Sequence, residues 1–181
     1  EMDEPKYRAN AGDRCYYCRR SLFDLARLEI EAQGLGALTY GAIPEDLGED
    51  RPGMRAADER HVRAPLIEAG LSKQEIRQIA KAYGLAVWNK PASACLASRF
   101  PTGTAVTPQG LQKVEHCEML LSDLGFHQFR ARYHGNLVRI ELDEEGLKRV
   151  QDEPSLAASI EACGVEAGFT AVDIDAKGYR S

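Results

Sequence analysis

The chain has 181 residues, of which 44% are hydrophobic and 28% are charged, and its formal net charge is −5 at pH 7. This composition suits one domain with a hydrophobic core or two small ones, and it argues against wholesale disorder. The acidic balance argues against a partner that is a long nucleic acid, because proteins that track such molecules carry a basic excess, but it is compatible with a small local basic patch. No apolar run approaches the roughly 20 residues that a membrane helix needs, so we expect no membrane partner.

The first predicted helix follows a polar loop over residues 1–14 and runs from Cys15 to near Gln33. Asp13 is its expected N-cap. Its buried face is predicted to be an apolar stripe that comprises Leu22, Leu25, Ala26, Leu28 and Ile30. A short buried strand is expected over residues 37–43, and this alternation of helix and strand favours an α/β fold.

Residues 44–64 predict a long, irregular, charged loop, and loops of that length in compact domains are usually functional or disordered. A second helix is predicted to begin at Ser72, because Glu75 follows three residues later in a capping-box pattern. Gly84 is expected to end this helix.

A polar, proline-containing segment over residues 88–103 (WNKPASACLASRFPTG) predicts a loop around Cys95. Trp88, at its start, fits either a core aromatic or part of a pocket wall, and we favour the core. We place the domain boundary directly after this loop, so that residues 1–104 form one domain and residues 105–181 another.

The second domain is predicted to be a small α+β unit. Its expected elements are a helix over 108–124, strands over 128–133 and 137–142 around a turn, a helix over 144–163 and a strand over 169–174.

The five cysteines are Cys15, Cys18, Cys95, Cys117 and Cys163. An odd number of cysteines behind a first segment that is acidic rather than signal-like predicts a reducing cytoplasm and thiols used in metal or redox chemistry. Because the chain opens on Glu1, we also expect the natural N-terminus to lie further upstream.

Cys15 and Cys18 form a Cys-x-x-Cys motif at the start of a predicted helix, next to three arginines. Helix N-termini and nearby cations stabilise thiolates. The motif alone fits a zinc half-site, a redox disulfide or part of an iron–sulfur site. No Cys or His pair with matching spacing completes a zinc site, and no strand precedes the motif as in thioredoxin-like proteins.

Cys95 adds a third thiol in a loop that is rich in polar residues. Three thiolates would permit a cubane iron–sulfur cluster with one open iron, which could hold a sulfide for transfer. The alternative interpretation is a buried small apolar side chain, and we favour that one for Cys117 and Cys163.

Several strings together resemble the LarE family of ATP-dependent sulfur transferases, which belongs to the PP-loop superfamily. They are NAGDRCYYCRRSLF (10–23), DRPGMRAADE (50–59), APLIEAGLSKQEIRQIAKAYGL (64–85), WNKPASACLASRFPTG (88–103), FRARYHG (129–135) and DAKGYRS (175–181). The resemblance implies that residues 1–104 are the C-terminal part of a PP-loop α/β domain and that residues 105–181 are a domain for substrate binding or oligomerisation. It also implies that the family's glycine-rich ATP loop lies upstream of this chain.

The activity that the resemblance implies is the conversion of a carboxylate of a pyridinium biscarboxylate mononucleotide into a thiocarboxylate, in nickel-pincer cofactor biosynthesis. ATP with Mg²⁺ would activate the carboxylate as an acyl-adenylate. In one family form a single cysteine gives up its own sulfur. In the other, Cys15, Cys18 and Cys95 would hold a [4Fe-4S] cluster that is recharged by a sulfide source, and this chain is similar to that form. A homo-oligomer is also implied.

The resemblance assigns further residues to the substrate and the nucleotide. The substrate-binding set is Ser98, Arg99, Glu118, Arg130 and Arg132, and the residues expected near the nucleotide are Asp46, Asp50 and Arg51. Arg130 and Arg132 alternate on one predicted strand, so both should lie on the same face. Two guanidinium groups on one face suit phosphate or carboxylate recognition, although a solvated strand face is the alternative.

Two other functions stay open at this point. Related PP-loop enzymes thiolate tRNA with a three-cysteine cluster, but the acidic composition and the lack of a basic stripe argue against that substrate. A non-catalytic module that binds a metal or a cluster is the other alternative.

Overall fold

The structure is a computed structural model, and it describes residues 1–48, 51–90 and 94–179. The fold is mixed α/β and divides into two compact units, residues 1–93 and 94–181. The segment from Ala94 onward therefore belongs to the second unit, whereas the sequence places the boundary after residue 104. The reason is local packing, because Phe100 stacks on Tyr133 of that unit with their ring centroids 4.4 Å apart.

The described part of the first unit is largely helical. Its elements are α1 (Pro5–Ala9), α2 (Arg14–Ala32), a 3₁₀ helix (Pro44–Gly48), α3 (Pro52–Glu59), α4 (Pro65–Glu68) and α5 (Lys73–Ala82). The strand predicted over 37–43 is wrong, because the described residues there form only an isolated parallel bridge from Thr39 to Arg63. The irregular loop predicted over 44–64 is also wrong in part, since it contains the 3₁₀ helix and α3.

The starts of α2 and α5 show how local capping follows from sequence. Ser72 Oγ accepts a hydrogen bond from the Glu75 backbone N at 3.3 Å, and the Glu75 carboxylate accepts one from the Ser72 backbone N at 2.9 Å. This reciprocal pair confirms the predicted capping box. Asp13 precedes α2 as expected, but its side chain makes no capping bond, because its backbone (φ −105°, ψ 13°) lies outside the extended region that capping requires.

The core of the first unit is small. Phe23, Ala57 and Val62 form it, and Leu38 and Tyr40 pack against them. The apolar stripe predicted for α2 is wrong in its leucines, because Leu22, Leu25 and Leu28 are 51%, 64% and 63% exposed. Helix α2 buries Tyr17 and Phe23 instead, since α3 packs against it.

The second unit confirms the predicted α+β order. Its elements are a 3₁₀ helix (Leu96–Arg99), α6 (Pro108–Asp123), β1 (Phe129–His134), β2 (Leu137–Leu142), α7 (Glu144–Asp152), α8 (Ser155–Glu166) and β3 (Ala171–Ile174). Strand β2 is central, antiparallel to β1 and parallel to β3. The single helix predicted over 144–163 is two helices, because Pro154 lacks a backbone N–H and interrupts the helix. No helix in the described ranges is long and apolar enough to cross a membrane.

Helices α6 and α8 cover one face of this sheet closely. Val138 and Ile140 of β2 are fully buried, as are Leu121 of α6 and Ile160 of α8. At Gly164 of α8, an added Cβ would lie 2.4 Å from Val172 Cγ2 of β3. A glycine there lets α8 pack directly onto the strands.

Candidate functional site

A cavity of about 330 Å³ in the second unit gathers most of the predicted substrate residues. It is lined by Ser98, Arg99, Phe100, Pro101, Arg132, His134, Arg139, Glu141 and Asp175. Strands β1 and β2 supply four of these side chains at alternating positions, which therefore lie on one face of the sheet. The cavity is thus built where that face meets the turn after Cys95.

Arg132 and Glu141 form a hydrogen-bonded ion pair in this cavity. Arg132 Nε donates to Glu141 Oε2 at 2.9 Å, and Arg132 Nη2 lies 2.8 Å from the same oxygen. Arg132 Nη1 also donates to the Ser98 carbonyl at 3.1 Å, while Glu141 is only 7% exposed. This arginine therefore ties strand β1 to the turn after Cys95.

Arg139 lies directly across the β1–β2 ladder from Arg132. Like charges in that position would repel, but each arginine has its own carboxylate. Arg139 Nε donates to Asp173 Oδ2 of β3 at 2.8 Å. The pairing keeps two guanidinium groups beside one cavity, whose lining also includes the carboxylates of Glu141 and Asp175.

Arg99 is the most buried arginine of the site, at 7% exposure. Its Nε and Nη2 donate to the two carboxylate oxygens of Glu118 at 2.8 and 2.9 Å. Its Nη1 lies within hydrogen-bond distance of three oxygens, namely Ala94 O at 2.9 Å, Ser98 Oγ at 3.1 Å and Cys95 O at 3.3 Å. In this geometry Arg99 holds the backbone around Cys95, and contact with the substrate remains a prediction for it.

Glu118 of α6 joins three parts of the second unit. Besides pairing with Arg99, its Oε1 accepts a hydrogen bond from the Ala131 backbone N of β1 at 3.0 Å. The carboxylate therefore links α6, β1 and the turn after Cys95. Its predicted contact with substrate or metal remains a prediction.

Arg130 lies two residues before Arg132 on β1, on the same face by alternation. Its guanidinium stacks over the Tyr179 ring, 4.6 Å from the centroid. The structure therefore brings Arg132 into the cavity with Ser98, whereas Arg130 contacts a residue outside its lining.

Cys95 is an exposed free thiol that directly precedes the 3₁₀ helix. Its carbonyl accepts hydrogen bonds from the Ser98 backbone N at 2.9 Å and from Arg99 Nη1 at 3.3 Å. The alternative of a buried apolar cysteine is therefore wrong for Cys95. The backbone is fixed by these bonds while the sulfur remains accessible.

Cys117 and Cys163 confirm the core interpretation. They are 0% and 8% exposed, and burial raises the pKa of the Cys117 thiol to about 12. Burial also raises the pKa of Cys163. Both thiols therefore stay protonated and unreactive at neutral pH.

In the first unit, Cys15 shares a pocket of about 410 Å³ with two residues predicted to lie near the nucleotide, Asp46 and Arg51. Arg51 Nη1 lies 2.7 Å from Asp46 Oδ1, and the Ile43 backbone N donates to Asp46 Oδ2 at 3.0 Å. Arg19 also lines this pocket. Asp50, the third predicted residue, lies outside the described residues.

Cys15 and Cys18 are three residues apart on α2, so they are neighbours on the helix surface. Cys15 is exposed and Cys18 is partly buried, and neither forms a disulfide. Their chemistry fits ligands of an iron–sulfur cluster. Over residues 1–48, 51–90 and 94–179, however, no three His, Cys, Asp or Glu side chains are grouped to hold a metal ion.

Sequence reasoning missed Arg139, Glu141 and Asp173. The available signal was the strand 137–142, in which Arg139 and Glu141 alternate among apolar residues and so share one face. Asp173 could not be found in this way, because its contact depends on the parallel register of β3 with β2.

Comparison with known proteins gives relatives that cover the whole chain, although no family profile matches it. The chain is 41% identical over 181 residues to an uncharacterized protein of Synechocystis, and the match covers 100% of the chain and 67% of that protein. The chain belongs to the same protein family. The match includes every residue of both units.

Two further relatives match with lower identity. One is the pyridinium-3,5-bisthiocarboxylic acid mononucleotide synthase of Lactiplantibacillus plantarum, 32% identical over 180 residues that make up 99% of the chain and 64% of that protein. The other is an uncharacterized protein of Methanocaldococcus jannaschii, 28% identical over 172 residues, or 95% of the chain and 66% of that protein. The chain spans about two thirds of the length of the curated relatives it matches.

Proposed function

We propose that this chain is part of an ATP-dependent sulfur transferase of the LarE type. It would convert a carboxylate of pyridinium-3,5-biscarboxylic acid mononucleotide into a thiocarboxylate during nickel-pincer cofactor biosynthesis. The observation that carries the proposal is the 32% identity, over 99% of the chain, to a protein named as the synthase of the bisthiocarboxylic acid product. The exposed Cys95 thiol, which precedes the turn that lines an arginine-containing cavity, supports it.

The reaction begins with a poor electrophile. ATP transfers its adenylyl group to the substrate carboxylate and releases pyrophosphate, which gives the carboxylate oxygen a good leaving group. The Cys95 thiolate then attacks the acyl carbon, the bond from that carbon to the AMP oxygen breaks, and AMP leaves with the electron pair. A thioester joins the substrate to Cys95.

Release of the product requires the sulfur to leave the protein. A base removes the proton from Cα of Cys95, the Cβ–Sγ bond breaks, and the thiocarboxylate departs with the sulfur. Residue 95 is left as dehydroalanine, so each chain would transfer sulfur once by this route.

The cavity residues would orient the substrate for that attack. Arg132 and Arg139 present guanidinium groups to carboxylate or phosphate oxygens, and the Ser98 hydroxyl offers a further hydrogen bond. Arg99 would act as a positioning residue, because it holds the backbone on both sides of the reacting thiol. Asp46 and Arg51 would lie close to ATP and Mg²⁺, beside Cys15.

As the alternative route, in which Cys95 is not consumed, we propose Cys15, Cys18 and Cys95 as ligands of a [4Fe-4S] cluster. When bound, the cluster would supply sulfide from an external sulfide source and allow repeated turnover. A homo-oligomer in the cytoplasm completes the proposal, with the mononucleotide substrate and ATP as its small-molecule partners.

The first test measures iron and acid-labile sulfide in anaerobically purified protein, with Cys95→Ala compared against Cys163→Ala as a control at a buried cysteine. Roughly four irons per chain, lost in Cys95→Ala and kept in Cys163→Ala, would support the cluster. If neither the unmodified protein nor Cys163→Ala contained iron, the result would support the single-turnover route for Cys95.

The second test supplies full-length protein with ATP, Mg²⁺ and the mononucleotide. Mass spectrometry should find AMP and thiocarboxylate in equal amounts, and without a cluster it should find residue 95 converted to dehydroalanine. Cys95→Ala should abolish the thiocarboxylate. Absence of both products from the unmodified protein would refute the proposed function.

A further inference from the structure

Helix α5 carries a row of positive charges that the sulfur-transfer proposal does not use. Lys73, Arg77 and Lys81 are spaced four residues apart, so they share one face and span about 12 Å of the helix. They line a groove of about 490 Å³ in the first unit, together with Glu45, Gln74, Gln78 and Trp88.

These three cations have no carboxylate partner, which is also true of described basic side chains such as Arg8, Lys148 and Lys177, and what sets them apart is their shared helix face. Within the residues that the structure describes, none of the three forms an ion pair, whereas the arginines at 20, 60, 63, 99, 132 and 139 all do. Arg77 Nη2 donates to the Lys90 carbonyl at 3.1 Å, and Lys81 Nζ lies 4.6 Å from the centre of the Trp88 ring.

The groove contains a single carboxylate, that of Glu45, and this carboxylate already accepts a hydrogen bond. Glu45 Oε1 accepts a hydrogen bond from the Lys73 backbone N at 2.9 Å, at the first turn of α5. Like charges four residues apart destabilise an isolated helix, so an anion bound along the row would reduce the repulsion among the three cations.

Trp88 adds an aromatic surface beside the row. It is the chain's one tryptophan and is 36% exposed, which corrects the expectation that it lies in the core. Exposed aromatic rings next to cations are typical of sites where nucleic-acid bases stack. Gln74 and Gln78, four residues apart on α5, offer amide groups that both donate and accept hydrogen bonds.

We propose that this groove binds a short segment of single-stranded nucleic acid, with successive phosphates on Lys73, Arg77 and Lys81 and a base against Trp88. The length of the row favours a strand over a mononucleotide, whose phosphates lie too close together to reach all three cations. The aromatic ring and the two glutamines favour a nucleic acid over an acidic peptide. Because the net charge of the chain is −5, we expect nucleic-acid binding at this local patch and not over the wider surface. The inference does not rest on the sulfur-transfer proposal.

The test is a fluorescence titration of the intact chain with a short oligouridylate. Because the chain has a single tryptophan, quenching reports binding at the groove itself. We expect saturable quenching, and the logarithm of the binding constant should fall against the logarithm of salt concentration with a slope of about −2, since each contact with a single strand contributes about −0.7.

Two charge variants make the test specific. The variant Lys73→Gln/Arg77→Gln/Lys81→Gln should lose most of the affinity and flatten the salt slope. The matched control Arg8→Gln/Lys148→Gln/Lys177→Gln removes the same charge from exposed positions that do not line the groove, and it should bind as the unmodified chain does. Circular dichroism checks that both remain folded. Equal losses in the two variants would overturn the site.

A second measurement follows a fluorescently labelled oligouridylate by anisotropy, so that Trp88 can be replaced. Trp88→Ala should weaken binding about five- to hundred-fold, because stacking on an aromatic side chain contributes on that order per base. The proposal is wrong if Trp88→Ala binds unchanged, if ATP binds as tightly as the oligouridylate, or if polyglutamate quenches the tryptophan equally.

Discussion

The two units bury their apolar side chains to very different extents. The largest fully buried side chains among the described residues all lie in the second unit, namely Val106, Val114, Cys117, Leu121, Val138, Ile140, Leu142 and Ile160. The first unit has a small core around Phe23, and several of its large apolar side chains are exposed, including Leu22, Leu25, Leu28, Leu35, Leu47, Ile79, Tyr83, Leu85 and Val87. The described exposed counterparts in the second unit are Met119 and Val165.

This difference extends to the charged residues that hold each unit together. In the second unit, Arg99 and Glu118 are nearly buried, and their side chains are 8% and 15% exposed. In the first unit, the Arg60–Asp24 pair lies at the surface, and the Asp24 side chain is 56% exposed. Substitutions in the second unit should therefore have larger effects on stability, and the predictions below test that expectation.

The largest contrast is expected in thiol reactivity. At pH 8, iodoacetamide should alkylate Cys15 and Cys95, which are exposed, while Cys117 should react only after unfolding. Burial raises the pKa of Cys117 to about 12, so its thiol stays neutral in the folded protein. Peptide mapping by mass spectrometry measures this, and rapid labelling of Cys117 in the native protein would contradict the packing of α6.

The raised pKa of Cys117 also makes stability depend on pH. The contribution of this buried thiol to the free energy of unfolding is fully present below its unfolded pKa of about 8.5, and it is lost as the pH rises towards the pKa in the folded protein.

The next effect concerns the buried ion pair. Glu118→Gln should lower the free energy of unfolding by about 3–5 kcal/mol, because it leaves the Arg99 charge buried without a carboxylate. Urea unfolding followed by circular dichroism measures the change. A loss as small as that of Asp24→Asn would show that water replaces the carboxylate and that the pair is not effectively buried.

Leucine truncations compare the two cores directly. Leu121→Ala should cost about 2–5 kcal/mol, because the side chain is fully buried and leaves a cavity. Leu25→Ala, at a position that is 64% exposed, should change stability by about 0.5 kcal/mol or less. Similar costs for the two variants would mean that Leu25 is covered in solution.

A pair of glycine substitutions sharpens the comparison further. Gly164→Ala should cost about 1–3 kcal/mol, because its Cβ would collide with Val172 and force α8 away from the strands. Gly36→Ala is the matched variant in the first unit, where nothing lies within 4 Å of an added Cβ. It should be nearly neutral in the same unfolding assay, and a neutral Gly164→Ala would show that α8 can shift freely.

The smallest effect is expected at Asp24. The hydrogen bond from Arg60 lowers the pKa of this carboxyl, while partial burial opposes the shift. Its contribution to stability is present above the unfolded pKa and is lost as the pH falls through the lowered folded value. Since the pair is exposed, Asp24→Asn should cost about 0.2–1 kcal/mol at neutral pH and nothing in strong acid. Unfolding at both pH values, with high salt as a control, measures it.

The sequence predicted the second unit well because its signals are local. Thr107, followed by Pro108, begins α6, and the turn at Gly135 separates two strands whose alternation matches their burial. The break at Pro154 was missed, as were the 3₁₀ helix over Leu96–Arg99 and the start of the unit at residue 94. The capping box at Ser72 was predicted in the first unit for the same reason.

The remaining features depend on contacts between distant residues. The strand over 37–43 was predicted from its apolar run, but only Thr39 finds a partner, 24 residues away at Arg63. The stripe on α2 was assigned from helical spacing, although the packing of α3 decides that Phe23 is buried and Leu25 is not. At the candidate site, the residue types were expected. The hydrogen bonds from Arg99 to the backbone around Cys95 could not be predicted, because they depend on where Ala94, Cys95 and Glu118 lie in the fold.

The bridge between Thr39 and Arg63 joins segments that are 24 residues apart in the chain. Two backbone hydrogen bonds hold it, from the Tyr40 N to the Arg63 carbonyl and from the Arg63 N to the Leu38 carbonyl. Exchange of the Tyr40 and Arg63 amide hydrogens with solvent deuterium therefore measures how often these two segments separate without unfolding of the helices.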